Sequence, residues 1–201
     1  STNRLKENYM KQYPFPDKES SMQILLTDYM IHKIPKDKIR DVFEMAWAVG
    51  KAQAEQFLEQ YRENELPAML DILKKDQVKI TCEDVDNVLG KYRYFCEYLS
   101  GKNQLTIYKK SVKLWSEHNE MSYENGLNLI LYHEYFHYLE QNQIGMLSAR
   151  YQVPILKIGP ICVGKTGVPA LSEIGANAFA WVCWEKGLKE KEENHAVYEA
   201  D

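Results

Sequence analysis

The chain has 201 residues and a formal net charge of -4, with 45% hydrophobic and 27% charged residues. That length supports one sizeable core or two small ones, and the composition is that of an ordinary globular chain. No run approaches the ~18 unbroken apolar residues of a membrane span, and the acidic balance argues against nucleic acid as the main partner, because duplex binding needs a basic face.

The opening stretch "STNRLKENYMKQYPFPDKES" is polar and has no apolar signal-peptide core. Residues 21–33, "SMQILLTDYMIHK", read as a short helix capped by Ser20 or Ser21. After Pro35 the stretch 36–65 places Ile39, Val42, Phe43, Ala46 and Val49, then Phe57, Leu58 and Tyr61, at helical spacing. Pro67 punctuates its end, and "PAMLDILKKD" is a further short helix. The basic stretches "KIPKDKIR" and "YKKSVK" read as solvated helix faces.

The period then changes. "VKITCE" is strand-like, "YRYFCEYL" alternates over residues 92–99 as one strand, "SGKN" is a turn and "QLTIY" the returning strand, so a small antiparallel sheet is expected. From Ser122 the chain turns helical through "YENGLNLILYHEYFHYLEQNQ". Leu127, Leu129, Ile130, Leu131, Tyr135, Phe136 and Leu139 leave that helix no broad solvent face, which predicts a central, buried position. The charged tail "EKGLKEKEENHAVYEAD" is expected to fray. The fold class is therefore α+β, with a helical N-terminal region (1–76) packed on a mixed region (77–201). The four cysteines (Cys82, Cys96, Cys162, Cys183) are scattered without a C-x-x-C pair, so a reducing, cytoplasmic setting is expected.

Two short motifs compete to define the chemistry. "GPICVGKT", Gly159 to Thr166, fits the phosphate-loop pattern G-x-x-x-x-G-K-[ST]. A phosphate loop needs a helix beginning at its Gly-Lys-Thr end. Here Gly167, Val168 and Pro169 follow, and the natural helix start is Pro169, leaving 164–168 as loop and Lys165 at the surface. Too little chain remains for the strands of a nucleotide fold, so no nucleotide is expected.

"HEYFH", His133 to His137, is the stronger signal. Residues four apart on a helix share a face, so both imidazoles can converge on one metal ion. Glu134 lies about 100° round from His133 and is suited to take a proton from a metal-activated water. Burying these polar groups in an apolar helix costs stability unless something pairs them.

A third ligand is needed. The longer H-E-x-x-H-x-x-G-x-x-H form is excluded by Glu140 and Gln143 at its last two fixed positions. "PALSEIGANAFAWVCWEKG" supplies Glu173, the lone acid in the first turns of a helix whose Gly175, Ala176, Ala178 and Ala180 permit close approach. Glu140 lies on nearly the same face as His137 and is the local rival, but side chains spread along one straight helix struggle to meet at a single tetrahedral centre, so Glu173 is expected as the ligand and Glu140 as a supporting partner.

"HEYFH" followed by "EIGANAFA" resembles the ImmA/IrrE-type metallopeptidases, whose pattern is H-E-x-x-H and then E-x-x-A-N-x-F-A. Glu173, Ala176, Asn177, Phe179 and Ala180 fill the second half at every fixed position. The resemblance covers chiefly residues 133–183 and implies a zincin-like domain of gluzincin type, with His133, His137 and Glu173 as zinc ligands and Glu134 as catalytic base. It further implies a protein or peptide substrate, which in several members is a transcriptional repressor.

The implied activity is zinc-dependent peptide hydrolysis. His118, Tyr108 and Tyr123 are candidate donors to the oxyanion, and an extended substrate is expected to add to the sheet along "QLTIY". The loop 144–167 is expected to wall the cleft. The competing reading is a non-catalytic module in which zinc ties two helices together or supports a partner-binding sensor. Retention of Glu134 favours the enzyme.

Overall fold

The structure is a computed structural model that describes residues 15–62, 66–90 and 92–198, with the backbone alone for Lys157 and 187–198. Helix α1 (Lys18–Leu26) is capped by Asp17, whose carboxylate accepts the Ser20 amide at 2.8 Å. The expected caps, Ser20 and Ser21, sit inside the helix. An N-cap side chain must reach the amide three residues on, and Asp17 is the residue so placed. Two 3-10 turns, Ile31–Lys33 and Lys36–Lys38, lead into the long helix α2 (Ile39–Glu59). Its buried stripe takes Val42, Phe43, Ala46 and Phe57 from the spacing read in the sequence and adds Trp47, Gly50 and Ala54, while Ile39, Val49, Leu58 and Tyr61 are half-buried. Helix α3 (Met69–Lys75) buries Met69, Ile72 and Leu73.

Strands β1 (Lys79–Glu83), β4 (Cys96–Leu99) and β5 (Gln104–Tyr108) form one sheet in the order β1-β5-β4. β5 runs antiparallel to β4 and parallel to β1. The sheet is thus mixed, not antiparallel as expected, because the intervening hairpin of β2 (Asn87–Leu89) and β3 (Tyr92–Tyr94) leaves the sheet and lets the chain re-enter in β1's direction. "YRYFCEYL" is accordingly two strands. The break falls at Phe95, whose carbonyl accepts the Tyr108 amide at 2.9 Å, and Arg93 anchors the hairpin through Asp86 at 2.7 and 3.1 Å. β5 is central and paired on both sides, so it cannot take a substrate strand. Among the described residues the edges are β1 and β4.

Helix α4 (Lys109–His118) follows β5 directly. Helix α5 (Tyr123–Leu139) is capped by Ser122, whose hydroxyl accepts the Asn125 amide at 3.1 Å. α5 is central as expected, with Leu129, Ile130, Leu131 and Phe136 at or below 1% exposure. It passes into a π-turn, Glu140–Ile144, and a 3-10 turn, Leu147–Ala149.

β6 (Gln152–Ile158) and β7 (Ile161–Gly167) then form an exposed hairpin around Gly159 and Pro160. "GPICVGKT" is therefore a turn and a strand; residues 164–167, expected as loop, are strand. Lys165 is exposed, as expected. Helix α6 (Ala170–Tyr198) starts just after Pro169, and its first amide, from Ala170, is taken by Asp28 Oδ2 at 2.9 Å. The chain's own carboxylate thus occupies the helix N-terminus that a phosphate would need. The charged tail continues α6 to Tyr198, and 199–201 lie outside the described residues.

The small residues of α6 meet both neighbours. A Cβ on Gly175 would lie 2.5 Å from Leu147 Cδ2 and 2.6 Å from Phe136 Cζ, and one on Gly50 of α2 would strike the Gly175 carbonyl. α2, α5 and α6 thereby share one core in which the Phe179 ring packs between Phe57 and Phe136, with centroid distances of 5.6 and 6.0 Å. No helix of the described residues is long and apolar enough to cross a membrane.

Candidate metal centre

Helix periodicity places His133 and His137 one turn apart on α5, their ring centroids 5.0 Å from each other. Glu173, in the first turn of α6, faces both. His133 Nε2 lies 3.3 Å from Glu173 Oε2, and His137 Nε2 lies 3.5 Å from Oε1. All three donor atoms fall within 4.8 Å of one another, so the group could hold a metal ion. Ligands at about 2.0–2.1 Å from a tetrahedral ion stand roughly 3.3 Å apart, which the two His–Glu contacts of 3.3 and 3.5 Å match.

The far nitrogens supply a second observation. His133 Nδ1 is 3.1 Å from Asn177 Oδ1. Asn177 sits one turn beyond Glu173 and is 2% exposed. Its amide nitrogen donates to Ser21 Oγ at 3.3 Å, and Ser21 in turn donates to the Pro16 carbonyl at 3.3 Å. That chain orients the Asn177 oxygen toward His133, making Nδ1 the donor. His137 Nδ1 is 2.9 Å from Glu140 Oε2, and a carboxylate there again makes Nδ1 the donor. With both Nδ1 protons committed, each Nε2 lone pair faces the Glu173 carboxylate. Two acceptors at that separation repel unless a cation or a second proton lies between them. The residues therefore fit a cation held by two Nε2 atoms and a carboxylate.

In the metal-free chain the alternative to a cation is a second proton, and the titration of His137 and Glu173 reflects it. Burial by itself lowers His137, but hydrogen bonds to Glu140 and Glu173 outweigh it and raise its pKa to about 10. The hydrogen bonds from His133 and His137 hold Glu173 far below the usual carboxylate range. Burial raises Glu134, against the opposing pull of the two histidines.

Glu140 is the most buried acid of the centre, at 1% exposure. Its Oε1 accepts the Leu147 amide at 2.7 Å and the Ser172 hydroxyl at 2.7 Å. The π-turn that begins at Glu140 aims its carboxylate back at His137 while tying it to the N-terminal turn of α6. It supports a histidine from the side opposite Glu173.

Among the described residues, none of the expected oxyanion donors hydrogen-bonds to His133, His137 or Glu173. The Tyr108 hydroxyl donates to Glu97 at 3.1 Å. Tyr123 opens α5, about 15 Å along the axis from His133, and His118 ends α4 with its side chain exposed. Ser172 and Phe15 join the centre without having been singled out in the sequence, and Ser21, read there only as a helix cap, joins it as well. Phe15 stacks on the His133 ring at 5.4 Å and 13°. Asn177 was legible as a fixed position of the E-x-x-A-N-x-F-A pattern, though not as the orienting group of His133.

Comparison with family models, with curated proteins and with solved structures found no match to this chain.

Proposed function

We propose that this chain is a zinc-dependent metallopeptidase of the ImmA/IrrE type, cleaving a peptide bond in a protein substrate. The observation that carries the reading is the meeting of both histidine Nε2 atoms with Glu173 while Glu134 sits beside them on the same helix. A two-imidazole, one-carboxylate set is the donor set of a catalytic zinc with an open position. When bound, zinc supplies a Lewis acid that acidifies water and polarises a carbonyl.

The chain's own residues do the rest. Glu134 accepts the proton of the attacking water and returns it to the leaving amine. Burial raises its pKa, which makes it a readier proton acceptor. Asn177 and Glu140 fix the imidazole orientations. β4 offers the open edge on which an extended peptide can pair. Its first residue, Cys96, lies close enough to Glu134 that the carboxylate adds to burial in raising the thiol.

The test is hydrolysis of candidate protein substrates by zinc-loaded protein beside the Glu134→Gln variant. Cleavage by the first and none by the second, at equal zinc content, is the expected result. Equal cleavage by both, or none by either over a broad substrate panel, contradicts the assignment.

A further inference from the structure

The N-terminal entry to the fold carries an aromatic side chain directly onto the metal centre. Phe15 lies just ahead of α1. Its ring is stacked on the His133 imidazole at 5.4 Å and 13° and tilted against Trp115 of α4 at 5.3 Å and 56°. Trp115 in turn meets Phe95 at 5.4 Å and 53°. Phe95 is the residue immediately before β4, and its carbonyl is bonded into the sheet through Tyr108. An aromatic surface therefore runs from a metal ligand to the start of the open edge strand, and Phe15 covers the end of it nearest the ligand.

The backbone after Phe15 is held firmly. Pro16 receives the Ser21 hydroxyl, and Asp17 caps α1. The ring is thus delivered by a fixed anchor, while Phe15 itself lies outside any regular element. Phe15, Trp115 and Phe95 are each only half-buried, at the margin of the core and not inside it. A ring at that margin, stacked on His133, occupies a position that a side chain of a peptide bound at the centre would take.

We infer that the place Phe15 takes against His133 and Trp115 is a subsite for an aromatic side chain of a bound peptide, and that Phe15 fills it in cis as a built-in competitor. The occupant is a phenylalanine-like side chain because that place already accepts one, with offset-stacked and tilted contacts that aromatic rings favour. The inference rests on the metallopeptidase reading for its substrate class. Binding occurs when Phe15 swings out and a substrate ring swings in, so the chain's own segment lowers the apparent affinity for every such substrate.

The experiment measures binding and not turnover, which separates its failure from that of the peptidase reading. Zinc-loaded protein carrying Glu134→Gln is titrated calorimetrically with acetyl-Ala-Phe-Ala-amide and with acetyl-Ala-Ala-Ala-amide, with Phe15 intact and as Phe15→Ala. The expected result is a gain of about tenfold in affinity for the phenylalanine peptide on removing Phe15, no gain for the alanine peptide, and loss of the gain when Trp115→Ala is added. Equal affinity of the phenylalanine peptide for both chains, or an equal gain for both peptides, overturns the subsite. If circular dichroism shows Phe15→Ala to be unfolded, Phe15→Leu keeps apolar volume without a ring. It should bind the phenylalanine peptide roughly threefold more tightly, and no gain there likewise overturns the inference.

Discussion

Glu140 binds His137 Nδ1 at 2.9 Å with one carboxylate oxygen and gathers the Leu147 amide and the Ser172 hydroxyl with the other. One buried side chain therefore orients His137 and joins the end of α5 to the start of α6. Glu140→Ala is expected to weaken zinc about 10–100-fold, as loss of a ligand's supporting group typically does. It should also destabilise the fold by about 1–3 kcal/mol for each buried donor left without a partner. Glu140→Gln keeps a carbonyl acceptor and should recover most of the stability. Calorimetric zinc titration and thermal melts of both variants check this; a Glu140→Ala protein with unchanged affinity and melting point would contradict it.

Asn177 plays the matching part for His133, with Ser21 holding it from α1. Asn177→Ala should weaken zinc by about tenfold or more. Ser21→Ala should have a smaller effect in the same direction, because it only frees the Asn177 amide to turn. A Ser21→Ala loss larger than that of Asn177→Ala would show that the relay runs otherwise.

These relationships also show what a sequence can and cannot disclose. The α5 core and the meeting of His133, His137 and Glu173 were legible because helical periodicity is local and because Glu173 is isolated among small and apolar residues. Glu140's part was legible as an i+3 neighbour on the same helix. Ser21 was not, since its contact with Asn177 spans 156 residues and nothing in the local pattern marks it. The sheet failed for a related reason. Tyr92 to Leu99 keeps its alternation straight through the break at Phe95, and the parallel pairing of β1 with β5 is set by chain return, which alternation does not record. Likewise the Gly159–Thr166 stretch was rightly read as lacking a following helix, but its strand character was missed because glycine and proline read as loop.

Gly175 tests the packing that brings Glu173 to the histidines. Gly175→Ala places a methyl group against Leu147 Cδ2 and Phe136 Cζ. Overpacking of this kind costs typically about 1–3 kcal/mol. The helix must shift to accept it, so zinc affinity should fall together with stability. A variant that melts like wild type and binds zinc equally well would show that α6 has slack at this position.

Lys165 addresses the rival motif. Its side chain is exposed on β7, and the α6 amide that might face a phosphate already meets Asp28. Lys165→Ala should leave the melting temperature and zinc content unchanged, and ATP or GTP should shift neither protein's melt. A saturable nucleotide-dependent shift that disappears in the variant would restore the phosphate-loop reading.

The most direct test of the central claim is a zinc titration of metal-free protein followed by calorimetry, run beside Glu173→Ala. The account predicts one zinc per wild-type chain, a raised melting temperature in the zinc-loaded form, and loss of most binding in Glu173→Ala while Glu140→Ala still fills at high zinc. Absence of zinc binding by wild type, or a Glu173→Ala chain that binds zinc as tightly as wild type, would contradict it.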